Sequence, residues 1–177
     1  MDVEGSSPQS RAPNWLRFII GRNPSVTLLR IVILTVVSLI VFKFILLPIR
    51  VTGDSMFPTF KDGQIRLVNR LSYRRHSPQR GDVVAVEFQG QRVLLLKRIV
   101  GLPGERFHVF KGEVFINDEK LVEPYAHGKI PKPVGKGLAE TVEPVVLGPT
   151  EYVVIGDNRI ISEGYFKDAR QLIGKVL

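Results

Sequence analysis

A serine in a turn-prone setting is the first residue of this chain whose type and surroundings could do chemistry. Ser55 lies in the run Gly-Asp-Ser-Met-Phe-Pro-Thr, with Gly53 and Asp54 before it and Pro58 soon after. A serine hydroxyl is a weak nucleophile unless a neighbouring base takes its proton. Ser55 is therefore a candidate nucleophile, provided that the fold brings a general base to it.

Histidine is the most familiar base for a serine nucleophile, and the chain contains three histidines. His76, His108 and His127 each lie in a charged or loop-like stretch, and none is at the end of an apolar strand. We therefore expect all three at the surface, outside any catalytic site.

Lys97 is the stronger candidate base. It follows the apolar run 93–96 and precedes Arg98 and the apolar pair 99–100. An exposed lysine is almost fully protonated near neutral pH, but burial penalises the ammonium and lowers its pKa by up to several units. An edge-strand lysine with its amine in solvent fits the same residues, so this pattern alone leaves both interpretations open.

A long apolar segment precedes the serine. Residues 26–49 are almost wholly apolar, with Arg30 and Lys43 towards the ends and no charge between 31 and 42. A bilayer requires about 20 apolar residues, and long cationic side chains near the ends can reach the interface. We predict one transmembrane helix over 26–49. A cleaved signal peptide and a buried soluble helix fit less well, because neither a small-x-small site nor a polar face is visible.

The charge distribution suggests an orientation. Residues 1–25 carry Arg11, Arg17 and Arg22 and are predicted to form a basic cytoplasmic tail. Basic residues follow the helix as well, but short basic tails determine orientation more strongly than folded domains do. We therefore expect a single-pass protein with residues 50–177 outside the cytoplasm.

Composition excludes some functions. The net charge of +8 fits an anionic membrane surface, and no zinc-ligand spacing, helix-turn-helix pattern or aromatic RNA-binding motif supports nucleic acid as a partner. The chain has no cysteine, which excludes disulfides, thiolate metal sites and a cysteine nucleophile. We expect neither a metal nor a cofactor.

Short β-type runs separated by glycine and proline fill the chain after Pro48. Without strand–helix alternation, they predict a mainly β domain over 50–177, built of short antiparallel sheets or a partial barrel. A loop is predicted over 126–138. The predicted strands are 65–69, 82–88, 92–100, 107–110, 113–116 and 151–155.

Four blocks of this sequence resemble the type I signal peptidases. These are membrane-anchored serine–lysine endopeptidases that remove signal peptides from exported proteins. The blocks, in the family's order, are Gly53–Thr59, Arg80–Val84, Lys97–Glu105 and Gly156–Arg159 with Ser162. The resemblance runs from the apolar segment to near the C-terminus. It implies cleavage after small-x-small sites at the plasma membrane, with preproteins, anionic lipids and the export machinery as partners.

The resemblance also implies roles for single residues. Ser55 would be the nucleophile, with its backbone N–H stabilising the oxyanion, and Lys97 would be the general base. Ser162 matches the serine that orients the lysine. Asp157 and Arg98 match a supporting ion pair close to the site.

Two further features follow from the resemblance. Val51, Met56 and Leu96 would line shallow apolar pockets for the small side chains before the scissile bond. Some members carry a hydroxyl two residues before the nucleophile as a second oxyanion donor. Here, as in the single-anchor members, that position is a glycine, Gly53, so the second donor is unidentified. The accessory β region, over about 105–150, would be small.

The segment after Ser162 departs from the family pattern. The family continues with an aspartate and an arginine, whereas this chain reads Ser-Glu-Gly-Tyr-Phe. Glu163, Asp168 and Arg170 are candidate substitutes. A non-catalytic or narrow-specificity relative that binds export substrates is therefore an alternative. A self-cleaving serine–lysine regulator fits less well, because a membrane helix stands where its DNA-binding module would be.

Overall fold

The computed structural model describes residues 23–87, 94–131 and 143–177. The described chain falls into two units, divided after Val41. The predicted tail over 1–25 lies almost entirely outside the described residues, as do parts of the predicted strands 82–88 and 92–100 and of the predicted loop 126–138.

The first unit is a helix, α1, over Pro24–Ile40. Pro24 lies in its first turn, where the missing N–H of proline costs no hydrogen bond. The chain continues in a π-helical turn over Val41–Ile45. The 21 helical residues Ser25–Ile45 have a mean hydropathy of 2.5 and none is buried, so the helix is long and apolar enough to cross a membrane.

The helical span ends earlier than predicted. The sequence predicted helix to Ile49, whereas Leu46–Arg50 forms a strand, β1, that pairs antiparallel with β2 over Ile65–Asn69. Pro48 explains the difference, because proline cannot continue a helix and disfavours the helical conformation in the residue before it. A proline is tolerated in β1 because this strand lies at the edge of its sheet.

Two antiparallel sheets make up the β domain, which confirms the predicted mainly β fold. Besides β1 and β2, the first sheet contains β3 (Val83–Glu87), β4 (Leu94–Gly101), β9 (Glu151–Ile155), β10 (Gly164–Asp168) and β11 (Leu172–Val176). The second sheet contains β5 (Arg106–Phe110), β6 (Glu113–Ile116), β7 (Glu119–Lys120) and β8 (Val145–Val146). The strand orders are β1-β2-β11-β3-β4-β9-β10 and β7-β6-β5-β8.

Strand β3 of the first sheet is buried on both of its faces. Val83 and Ala85 pack in a cluster with Met56, whereas Val84 packs in a second cluster with Ile99. This two-sided burial explains why the sequence of β3 is a continuous apolar run and does not alternate between apolar and polar residues. Strand β4 is its neighbour in the sheet, with Lys97 opposite Val84, so the lysine lies in the interior of the domain.

Candidate active site

A tight turn between β1 and β2 presents Ser55. Gly53 has a φ of +83°, a conformation that residues other than glycine rarely adopt. Its N–H donates to Asp62 Oδ1 at 2.8 Å. The Phe57 N–H donates to the Asp54 carbonyl at 3.1 Å and closes the turn. Ser55 is half-buried, so the turn holds the serine at the edge of the interior.

Lys97 is buried, with 4% of its surface exposed. Its Nζ lies 2.7 Å from Ser162 Oγ. Burial among apolar neighbours lowers the pKa of Lys97 to about 8, while the nearby charge of Glu163 acts in the opposite direction. A substantial fraction of this amine is therefore neutral at mildly alkaline pH, as a general base requires.

The Ser162 hydroxyl is held by several partners. It accepts a hydrogen bond from the Gly156 N–H at 2.9 Å and contacts the Lys97 amine. Its oxygen lies 3.3 Å from the Glu163 carbonyl, to which it donates its own proton. This arrangement leaves the hydroxyl as an acceptor towards Lys97 and restricts where the amine can lie.

Gly156 lies between the serine turn and Ser162. A methyl group on this residue would lie 2.2 Å from Ser162 Oγ and 2.3 Å from the Ser55 carbonyl oxygen, so only glycine fits. The next turn is also tied to the serine, because the Asn158 N–H donates to the Ser55 carbonyl at 3.0 Å. Ser55 and Ser162 thus pack against the same glycine, and Lys97 joins them through its contact with Ser162.

The ion pair between Arg98 and Asp157 is present and lies beside this cluster. Nε of the arginine donates to Oδ1 at 2.8 Å and Nη2 to Oδ2 at 2.6 Å, and Asp157 is fully buried. Thr59 Oγ1 donates to the same carboxylate. The role of Thr59 was missed by sequence reasoning, although the residue ends the motif that contains Ser55.

A second buried ion pair was also missed. Arg159, 2% exposed, donates through Nη1 and Nη2 to the two carboxylate oxygens of Glu123 at 2.7 and 2.6 Å. Its Nε donates to the Gly156 carbonyl at 3.0 Å. The pair therefore supports the glycine around which the candidate site is built. Arg159 lies in the block Gly156–Arg159, but no local sequence pattern identifies Glu123 as its partner.

Asp168 and Arg170 do not replace the aspartate and arginine that are missing after Ser162. They pair with each other at 2.9 Å, and Asp168 caps the short helical turn Ala169–Gln171. Asp168 lies opposite Glu151, at the other end of β10 from Gly164. Glu163 is exposed, and it is the candidate substitute whose charge acts on Lys97.

A cavity of about 520 Å³ adjoins Ser55. Val51, Met56 and Leu96 all line it, and each is less than 9% exposed. The same three side chains belong to one hydrophobic core cluster. They therefore form a packed apolar wall on one side of the cavity.

His76 and His108 lie outside this site, whereas His127 borders it: its ring packs edge-on against Phe57 at 5.7 Å between centroids, and its N–H donates to the Asp157 carbonyl at 2.7 Å. His76 and His127 are exposed, as expected. The expectation for His108 is wrong, because it is half-buried on β5 and stacks on Phe115 at 4.8 Å between ring centroids. Within the described ranges, no group of three or more histidine, aspartate or glutamate side chains is arranged to hold a metal ion.

Known proteins resemble most of this chain. A family model described as "Signal peptidase, peptidase S26" matches residues 25–176. Signal peptidase I of Bacillus amyloliquefaciens is 32% identical over 148 residues, which are 82% of this chain and 75% of that protein. Signal peptidase I S of Bacillus subtilis is 37% identical over 132 residues, 73% of this chain and 71% of that protein.

The similarity extends to a second genus and to one solved structure. Signal peptidase IB of Staphylococcus aureus is 30% identical over an alignment of 167 residues, which covers 84% of this chain and 85% of that protein. The crystal structure of a signal peptidase I from Enterococcus faecalis has a TM-score of 0.43 and 23% identity, and it covers 57% of this chain and 97% of its own.

Proposed function

Because the chain belongs to the S26 family of signal peptidases, we propose that it removes the signal peptides of preproteins with a catalytic dyad of Ser55 and Lys97. The chain is a signal peptidase I enzyme, and its N-terminal apolar helix indicates a membrane-anchored protein. The observation that carries the dyad is the contact of 2.7 Å between the buried Lys97 amine and Ser162, beside the turn that presents Ser55.

Lys97 acts as the general base in this mechanism. Its neutral amine takes the Ser55 proton while Ser55 Oγ attacks the carbonyl carbon of the scissile bond. The resulting ammonium donates its proton to the leaving amine, and an acyl-enzyme forms on Ser55. Water, deprotonated by the same amine, then hydrolyses the ester and releases the signal peptide.

The backbone N–H of Ser55 is available for the oxyanion, since none of the described residues accepts a hydrogen bond from it. The Gly53 N–H is engaged by Asp62 at 2.8 Å and does not supply a second donor. The backbone around Ser55 is already held by Asn158, so the oxyanion donor requires little reorganisation when the charge develops.

The open edge of β4 provides a place for an extended substrate. Leu94–Leu96 pair with β3 on one side, whereas β9 pairs with Arg98, Ile99 and Gly101. Among the described residues, no strand covers the other edge of Leu94–Leu96. An extended signal peptide added there would reach the cavity lined by Val51, Met56 and Leu96, whose packed wall favours small residues before the scissile bond.

The proposed membrane arrangement has one span, with the N-terminus in the cytoplasm and the β domain outside it. The short connection from the span to Ser55 would keep the nucleophile near the bilayer surface, where cleavage sites of exported preproteins emerge. Confining enzyme and substrate to one membrane also removes part of the entropic cost of bringing them together. The export machinery would deliver the substrates on this side.

Cleavage of a preprotein with an Ala-x-Ala site by the full chain, in lipid at about pH 8, tests the dyad. We expect wild type to cut after the second alanine, and Ser55→Ala and Lys97→Ala to lose at least about a thousandfold in rate. Lys61→Ala, an exposed lysine, should cut like wild type.

Two other outcomes would contradict the proposal, each in a different way. Cutting by Lys97→Ala at the wild-type rate would show that another group is the base. A silent wild type beside an active signal peptidase used as reference would instead favour a non-catalytic or narrow-specificity relative.

A further inference from the structure

A cavity of about 480 Å³ lies at the end of the apolar span, within the unit that begins after Val41. One wall is apolar and contains the last two residues of the span together with residues from the β2–β3 connection and β11. The apolar lining residues include Phe44, Ile45, Leu71 and Leu172. The guanidinium-bearing residues Arg70 and Arg74 line the same cavity.

Arg70 is held at the cavity by hydrogen bonds, and neither arginine is neutralised by a described carboxylate. The Arg70 N–H donates to the Ile45 carbonyl at 2.9 Å, and Arg70 Nη1 donates to the Lys43 carbonyl at 3.3 Å. Arg74 is the last residue of the helical turn Ser72–Arg74 and is exposed. Within the described ranges, neither guanidinium pairs with a carboxylate, and no lining residue is acidic.

The combination of two guanidinium groups and an apolar wall indicates which kind of ligand the cavity can bind. Two guanidinium groups favour an anion with several acceptor oxygens, and phosphate is the group that their planar donors bind best. The apolar wall favours a ligand that also carries hydrocarbon. Free inorganic phosphate carries no hydrocarbon and would make no apolar contact with that wall.

The position of the cavity along the chain indicates where such a ligand is found. Phe44 and Ile45 close the span, so the cavity starts at the level where hydrocarbon gives way to lipid headgroups. Cationic residues at this level attract anionic lipids. We propose that this cavity binds the phosphodiester group of an anionic phospholipid, with Arg70 and Arg74 on the phosphate and the first acyl carbons against Phe44 and Leu172. The proposal rests on the membrane anchoring proposed above and is independent of the catalytic dyad.

Lipid retention by the purified full chain, measured by native mass spectrometry from detergent, tests this site without an activity assay. Wild type should retain one phosphatidylglycerol and bind phosphatidylcholine at least about tenfold more weakly. Arg70→Gln/Arg74→Gln should bind phosphatidylglycerol at least about tenfold more weakly than wild type, since two charge-assisted contacts are lost. Circular dichroism verifies that this variant is folded, and Arg74→Gln alone, with one guanidinium removed, should show part of the loss.

A matched control removes the same charge elsewhere. Lys61→Gln/Arg75→Gln also loses two positive charges, both at exposed residues that do not line the cavity, and it should retain the lipid like wild type. Equal loss in this control would overturn the proposal in favour of general attraction to the basic domain. Displacement of the lipid by inorganic phosphate at millimolar concentration would overturn it in favour of a phosphate site.

Discussion

Lys97 Nζ lies 2.7 Å from Ser162 Oγ, although 65 residues separate the two along the chain. The contact is possible because β4 and β9 are neighbours in the first sheet and Ser162 lies in the connection that follows β9. The lysine is thereby fixed by a strand on one side and by a hydroxyl on the other. A base held in this way needs no histidine to orient it.

The pH dependence of cleavage should report the titration of Lys97. Its pKa is lowered to about 8 by burial, so kcat/KM should rise with pH and level off above that value as the amine becomes neutral. Glu163→Gln removes a charge that stabilises the ammonium and should move this rise to lower pH. A pH–rate profile of each variant measures the shift. Glu119→Gln, an exposed glutamate on β7, should leave the profile unchanged, and an unmoved profile in Glu163→Gln would contradict the proposed electrostatic contact.

Gly156→Ala should abolish most cleavage. The added methyl would overlap Ser162 Oγ and the Ser55 carbonyl oxygen, at 2.2 and 2.3 Å, and would separate the nucleophile from its base. A displacement of about 1 Å costs about a hundredfold in rate, which a single-turnover cleavage assay detects easily. Gly148→Ala is the matched control, because its methyl would lie 3.7 Å from the nearest atom, and it should cut like wild type. Full activity in Gly156→Ala would exclude the proposed arrangement.

Glu123→Gln should destabilise the fold. It would leave the Arg159 guanidinium, 2% exposed, without its counter-charge, at a cost of about 3–5 kcal/mol in the free energy of unfolding. Denaturant titration in detergent measures the change. Glu123→Leu/Arg159→Leu, which removes both charges, should recover most of the stability. Glu113→Gln, whose lysine partners are exposed, should cost much less because solvent screens its ion pairs, and an equal cost in both single variants would count against a special role for Glu123.

Lys97→Met should make the inactive enzyme more stable at neutral pH. The folded chain holds a lysine with a pKa of about 8 in place of 10.5, a difference that corresponds to about 3 kcal/mol. Between these two pH values the unfolded chain binds the additional proton, so wild-type stability rises with pH there. The advantage of methionine should therefore be full below pH 8 and decline towards pH 10.5. Denaturant titrations at pH 7 and pH 10 test this, and a methionine variant that is less stable at pH 7 would refute it.

The strands and the order of the motifs could be predicted from the sequence because their signals are local. Apolar runs bounded by glycine and proline located β2, β4, the β5–β6 hairpin and β9 to within a few residues. Burial of Lys97 was one of two interpretations that the pattern allowed, and the packing of β3 against β4 decides it.

The supporting contacts could not be predicted in the same way. Glu123 and Arg159 are 36 residues apart, and nothing in the stretch around Glu123 marks it as the partner of a buried arginine. The end of the membrane helix was missed for a different reason. Hydropathy continues unchanged through Leu46 and Leu47, and the backbone restriction before Pro48, together with pairing to β2, ends the helix.

The direct passage from helix to strand limits how far Ser55 can lie from the end of the helix. One strand and one tight turn separate the last helical residue, Ile45, from Ser55, and even a fully extended chain of this length spans at most about 35 Å. Because β1 is hydrogen-bonded to β2, this tether cannot stretch or coil freely. With Ser55 as the proposed nucleophile, cleavage is therefore limited to bonds within this distance of the end of the helix, so that the depth at which a substrate is anchored helps to decide which of its bonds is broken.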